Sequence, residues 1–324
     1  MKLIETYRKE FVAFLNTYSI VREPENLYNP INYILQLGGK RLRPVLTLLS
    51  CHLFDSEYKK ALHAAVAIEL FHNFSLIHDD IMDHAPLRRG KQTVHTKWDL
   101  NTGILSGDAM LILAYQFFEN YTPETFQELA KLFSKTALEV CEGQQYDIDF
   151  EVRDDVTIPE YIKMIEYKTA VLVAAAMKMG AIVSGASQSC CDRIYEFGNN
   201  LGIAFQLQDD YLDVFGNPDS FGKQVGGDII TNKKTFLYLI ALQNSSKEEA
   251  DELTHLFSIL PSNPSDKIAT VKEIFEQSGA IEATKLAIQD YTKQAFLVLE
   301  DLKITEDKKE FLRDFGDTLM LRSV

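Results

Sequence analysis

The chain has 324 residues, 46% of them hydrophobic and 25% charged, with a net charge of −14. That length is enough to bury a large core in one or two domains, and the share of charge is that of an ordinary globular protein. So acidic a chain is not built as a nucleic-acid binder, and any anion it handles must meet Lys and Arg concentrated locally.

The N-terminal run "MKLIETYRKEFVAFL" mixes charged and apolar residues and has no signal-peptide core. Helical periodicity then dominates: Leu70, Phe74, Ile77 and Ile81 recur at spacings of four, three and four. The pattern predicts helices over 31–53, 59–82, 103–120, 123–149, 159–184 and 190–214. Shorter ones follow over 232–242, 248–260, 265–277, 281–302 and 306–319. Thr122–Pro123 and Ile158–Pro159 read as helix starts. Alternating, strand-like runs are nearly absent, and 16 Gly and nine Pro suit long helices. The nearest thing to a membrane span, "VLVAAAMKMGAIVSGA", is interrupted by Lys178 and falls short of ~18 unbroken apolar residues.

Cys51, Cys141, Cys190 and Cys191 form no CxxC pair or metal spacing, so they read as buried thiols of a reducing compartment. No linker divides the chain. The expectation is one all-α domain over 1–324, soluble and cytoplasmic. Two long polar connections, 86–103 and 215–228, interrupt the helices, and each begins just after a cluster of aspartates. Loops of that size inside a compact domain are often functional.

The clusters are "LIHDDIMD" and "FQLQDDYLDVFG". Asp79, Asp80 and Asp83 have the same spacing as Asp209, Asp210 and Asp213. Residues i and i+4 share a helix face, so Asp79 lies over Asp83 and Asp209 over Asp213. Like charges so placed in apolar surroundings need a cation. Carboxylates without Cys or His at ligand spacing suit a hard ion such as Mg²⁺. A solvated acidic helix end would explain one such cluster but explains two copies poorly. His72, two turns before Asp79, and Gln206, one turn before Asp209, are placed to line a cavity with them, or are ordinary half-buried polar residues.

Cations gather nearby. "GGKRLRP" carries Lys40, Arg41 and Arg43, and "PLRRGK" carries Arg88, Arg89 and Lys91. Arg presents a planar fork to phosphate oxygens and Lys a point charge. "GKQVGGDIITNKK" adds Lys223 and Lys233 but is not a GxxxxGK[ST] phosphate loop. "EYKTA" adds Lys168 and Thr169. Basic runs beside a carboxylate metal cluster, in an acidic chain, point to two phosphorylated groups.

In order, "GGKRLRP", "HDDIMDHAPLRRGKQTVH", "GQQYD", "KTA", "QLQDDYLDVFG" and "GKQVGGDIITNKK" resemble the successive motifs of the trans-isoprenyl diphosphate synthases, or polyprenyl synthetases. The resemblance covers nearly the whole chain. It implies an all-α bundle around a central cavity, usually as a homodimer, with isopentenyl diphosphate and an allylic diphosphate as substrates. It implies three Mg²⁺ ions, two on Asp79 and Asp83 and one on Asp209, with Asp80, Asp210 and Asp213 close by. Arg88, Lys168, Thr169, Gln206, Lys223 and Lys233 would hold the allylic diphosphate. Lys40, Arg43, His72 and Arg89 would hold the isopentenyl diphosphate, and Gln144 and Asp147 would support metal-bound waters.

In this family, bulky residues four and five positions before the first aspartate help limit the product. Here they are Ser75 and Phe74, which resembles the short-chain pattern, C20 favoured over C15. On an ideal helix, at ~100° per residue, Phe74 lies about 140° from Asp79, so it is also a candidate core residue. The other readings are a longer-chain synthase (C25 or more), a class I terpene cyclase, and a non-catalytic partner subunit. The second aspartate motif and "GGKRLRP" argue against the cyclase, and the intact ligand positions against the silent subunit.

Overall fold

The computed structural model of the protein describes residues 2–18, 22–216 and 226–320. Its helices begin with α1 (Lys2–Asn16), α2 (Glu25–Gln36), α3 (Leu42–Leu53) and α4 (Leu62–Met82). A two-residue hairpin, β1 (Leu87–Arg88) with β2 (Lys91–Gln92), supplies the strands found among the described residues. Then come α5 (Val94–Lys97), α6 (Leu100–Phe118), α7 (Pro123–Val152), α8 (Ile158–Ile165), α9 (Val171–Ser184) and α10 (Gln188–Phe215). The last are α11 (Gly227–Ile230), α12 (Phe236–Asn244), α13 (Lys247–Leu256), α14 (Ser265–Gln277), α15 (Ala280–Glu300) and α16 (Glu306–Met320). The chain is all-α, as its periodicity predicts.

Several starts are set by local chemistry. Thr157 and Glu160 cap each other at the head of α8, and Ser246 and Glu249 do so at α13. Each pair satisfies two orphan amides of a helix end. Asp99 caps α6 by accepting from the Thr102 amide at 2.9 Å.

Two differences from the periodicity are instructive. The expected helix over 31–53 is two helices, because Gly38, Gly39 and Arg41 take φ of 76°, 121° and 51°. A right-handed helix cannot run through left-handed backbone, however well the apolar spacing continues. The second difference is α1, absent from the predicted elements: its Tyr7, Phe11 and Leu15 recur every four residues and are buried.

The chain forms two compact units, residues 1–135 with 175–194 and residues 136–174 with 195–324. In the first, α4 packs along α3 and α6. Its centre is a run of fully buried rings, Phe71, Phe118 and Phe133. In the second, Tyr161, Leu207, Phe236, Leu237 and Phe275 belong to one apolar cluster. Among the described residues one stretch, 158–184, is long and apolar enough to cross a membrane, but its most apolar window is 67% buried within the folded chain. A helix that is apolar all round reads equally as the core of a large protein.

Candidate active site

The first aspartate motif ends α4. Asp80 is buried at 2% exposure, Asp79 is half-buried and Asp83 is exposed. The hairpin makes this ordering. Its turn residues Arg89 and Gly90 both have positive φ, the geometry of a tight two-residue hairpin turn. Arg88 is thereby laid against α4, its Nε donating to both Asp80 oxygens at 2.9 and 2.8 Å. Its Nη2 lies 3.5 Å from Asp79 Oδ2. Burial opposes both ions of the pair. It keeps the Asp80 carboxyl above its ordinary pKa against the pull of Arg88. Arg88 ends above its own ordinary value because Asp80, Asp79 and Asp83 together outweigh burial.

Arg89 turns the other way. Its guanidinium donates to the Gly38 carbonyl and covers Gly39, where a Cβ would come within 2.7 Å of the guanidinium carbon. Glycine at 39 is thus fixed by its φ of 121°, while the guanidinium tip beside it can give way. Arg43 Nη1 lies 3.3 Å from His72 Nε2. Guanidinium only donates, so that nitrogen accepts and the ring carries its proton on Nδ1. His72 is pushed well below its usual pKa by burial, then by Arg43, Arg89, Arg88 and Arg41, and is neutral. Lys40 is exposed at the turn before α3. Arg41, given no role by the sequence, is buried and paired with buried Glu69 and the Leu35 carbonyl.

The second unit assembles the other group. Lys168 Nζ lies 2.5 Å and Lys233 Nζ 4.0 Å from the same Asp147 oxygen. Burial raises Asp147, but the two lysines outweigh it and hold the carboxyl below its ordinary range. Thr169 donates to Gln206 at 3.0 Å, and Gln206 donates to Asp210 at 2.9 Å. Tyr161 donates to the other Asp210 oxygen. Asp210 is 6% exposed, and burial raises its pKa despite these bonds. One cleft is lined by Asp147, Tyr161, Lys168, Thr169, Gln206, Asp210, Asp228 and Lys233. Lys223 lies outside the described residues.

Lys168 and Thr169 sit in a π turn, Glu166–Ala170, between α8 and α9. Such single wide turns recur at functional sites. Two helices close on it through glycine. A Cβ at Gly143 of α7 would come 2.2 Å from the Lys168 amide nitrogen, and one at Gly202 of α10 would come 2.7 Å from the Ala170 Cα. Sequence reasoning marked the "GQQYD" block without seeing that its glycine supports the lysine. It missed Tyr161 altogether, which apolar periodicity hides.

The two motifs repeat burial as well as spacing: the middle aspartate is buried and hydrogen-bonded in both. They differ at the third position. Asp83 is exposed, whereas Asp213 Oδ1 accepts from the Asp228 amide at 2.9 Å and anchors the following turn.

The donor sets fit Mg²⁺. Among the described residues no three Asp, Glu, His or Cys gather for one ion, and Mg²⁺ usually takes one or two protein carboxylates and fills its sphere with waters and phosphate oxygens. Asp79 and Asp83 are such a pair, one helical turn apart. In the second unit Gln144 Nε2 is buried with no hydrogen-bond acceptor among the described residues.

The comparisons agree with this chemistry. The polyprenyl synthetase profile matches residues 24–277. The chain belongs to the polyprenyl synthetase family. It is 39% identical to a short chain isoprenyl diphosphate synthase of Methanothermobacter thermautotrophicus, over 92% of this chain and 91% of that one. It is 36% identical to a geranylfarnesyl diphosphate synthase of Natronomonas pharaonis, over 94% and 92%. A crystal structure of a geranylgeranyl pyrophosphate synthase superposes with a TM-score of 0.95 at 52% identity, covering 99% of both chains. As a polyprenyl synthetase, the protein is a prenyltransferase of isoprenoid biosynthesis, in the short-chain trans-isoprenyl diphosphate synthase group.

Phe74 and Ser75 are the residues that the resemblance expects to bear on product length. Phe74 is 9% exposed. Its ring centroid lies 4.8 Å from His78 and 5.4 Å from Phe71, which in turn is 5.2 Å from Phe133. Ser75 turns its hydroxyl back onto the His72 carbonyl at 2.9 Å. Phe74 is therefore the outermost of three successive phenyl rings, and Ser75 adds no bulk.

Proposed function

We propose that the chain condenses isopentenyl diphosphate head-to-tail with an allylic diphosphate and releases a C20 product. The observation that carries the length is Phe74, backed by Phe71 and Phe133. Lys168, Thr169, Gln206, Lys233, Lys223 and Arg88 hold the allylic diphosphate. Lys40, Arg43, His72 and Arg89 hold the isopentenyl diphosphate. Asp79 and Asp83 would hold two Mg²⁺ ions and Asp209 a third, with Gln144 and Asp147 steadying their waters. When bound, Mg²⁺ neutralises the charge that grows on the departing diphosphate.

Lys168 and Lys233 act on the same oxygens, where negative charge develops as the allylic C–O bond breaks. Neutral His72, its Nε2 accepting from Arg43, has its Nδ1–H to donate to the isopentenyl diphosphate. The isopentenyl double bond then attacks the allylic carbon. No side-chain base stands out for the final proton, and the released diphosphate is the natural acceptor. Apolar residues such as Phe74 and Phe71 exclude water that would quench the cation. We further propose that the chain works as one domain, as a homodimer and in the cytoplasm.

The test is incubation with Mg²⁺, isopentenyl diphosphate and each of the C5, C10 and C15 allylic diphosphates, followed by chromatography of the products. C20 is expected, and Phe74→Ala should lengthen it. Products mainly of C25 or longer from the unaltered enzyme would remove the argument from Phe74. Failure to release diphosphate with both substrates present would remove the reaction itself.

A further inference from the structure

Lys267, in the first turn of α14, is 3% exposed. Lysine is almost never buried so fully unless it is paired, yet among the described residues no carboxylate oxygen lies within 4 Å of its ammonium. Its partners are neutral. It donates to the Asn232 side-chain carbonyl and, at 3.1 Å, to the Ile259 backbone carbonyl. The Phe257 ring lies 5.6 Å beyond. Asn232 Nδ2 donates to the same Ile259 oxygen at 3.4 Å. The amide of Asn232 is held from both ends.

Asn232 has φ of +61°, the left-handed region. It is the last residue before Lys233 and Lys234. The backbone closes on itself there, with Asn232 N donating to Ile229 O at 3.3 Å and Lys233 N to Asp228 O at 2.9 Å. Beyond it, Lys233 reaches Asp147, while Lys234 donates to the Arg153 carbonyl and to Asp154 at 2.9 Å. Asn tolerates left-handed backbone better than other side chains do, but tolerance does not enforce it. Two hydrogen bonds from outside the turn do.

We propose that Lys267 is a positioning residue: by gripping Asn232 it fixes the turn that directs Lys233 toward Asp147 and the diphosphate. The inference rests on the function proposed above for Lys233. It predicts a loss confined to one substrate. Lys267→Met should raise KM for the allylic diphosphate about tenfold and leave KM for isopentenyl diphosphate within twofold. It should also weaken Mg²⁺-dependent binding of inorganic diphosphate, measured by calorimetry, by a similar factor.

Asn232→Gly keeps positive φ accessible and removes the gripped amide, so it should reproduce the selective loss. In that background Lys267→Met should add less than twofold, because groups that act through one contact are not additive. Equal movement of both KM values, or a further tenfold loss in the Asn232→Gly background, overturns the proposal. Should Lys267→Met not fold, Asn232→Gly decides alone, and unchanged allylic and diphosphate affinities overturn it. Absence of condensation by the unaltered protein would instead overturn the proposed reaction. The calorimetric arm needs no turnover and judges Lys267 in either case.

Discussion

Asp83 lies exposed at the end of α4, and three residues earlier Asp80 is buried with both oxygens bound by Arg88. Substitution should separate them. Asp83→Asn changes an exposed side chain, so stability should move by less than about 0.5 kcal/mol while condensation collapses. Arg88→Ala strips a buried carboxylate of its partner and should cost roughly 3 kcal/mol, read as a fall in both melting temperature and activity. A thermally unaltered Arg88→Ala protein would show that the pair carries no stability. The sequence placed Asp79 over Asp83, because i, i+4 spacing is legible. It did not reveal that Arg88 answers Asp80, since that contact depends on the hairpin turn at Arg89–Gly90.

At the scale of elements, the π turn is the least legible part of the site. It shifts the apolar period by one residue inside an otherwise regular pattern from 158 to 184, and no composition marks it. Its supports are more legible in hindsight: Gly143 and Gly202 stand in long helices, where glycine costs about 1 kcal/mol against alanine. Gly143→Ala would drive a methyl into the Lys168 backbone, which cannot rotate away as a side-chain tip does. We expect overpacking to cost about 1–3 kcal/mol, with a larger relative loss in diphosphate binding because Lys168 moves with its backbone. Normal diphosphate affinity in a folded Gly143→Ala protein would show that the turn is not set by this contact. The break between α2 and α3 was in principle readable, since paired glycines rarely continue a helix. Tyr7, Phe11 and Leu15 likewise marked α1, beneath the charges that obscured it.

For the whole molecule, two depressed histidines and a raised buried carboxyl bear on stability with opposite signs as pH falls. Burial lowers the pKa of His63, and burial with four arginines lowers that of His72. Both titrate near 6.5 when unfolded. A group depressed by folding contributes stability that is complete above its unfolded value and lost as pH falls. The histidine contribution to the melting temperature should therefore be complete at about pH 7.5 and decline from there toward pH 5, while Asp210, raised to about 6 by burial, offsets part of that decline. His63 sits edge-on among Phe14, Tyr18 and Tyr121. His63→Phe should keep that packing and flatten the decline. An undiminished slope in the variant would assign the effect elsewhere.

The row of rings behind Phe74 also bears on how such an enzyme changes over generations. If Phe74 closes the product cavity as proposed, with Phe71 and Phe133 in series beyond it, opening Phe71 first would leave the product unchanged. It would still cost core stability, about 3–5 kcal/mol for Phe→Ala. Opening Phe74 first would expose the next ring to selection. The order of mutations then matters more than their number, and a lineage that moves toward longer products would have to pass through position 74.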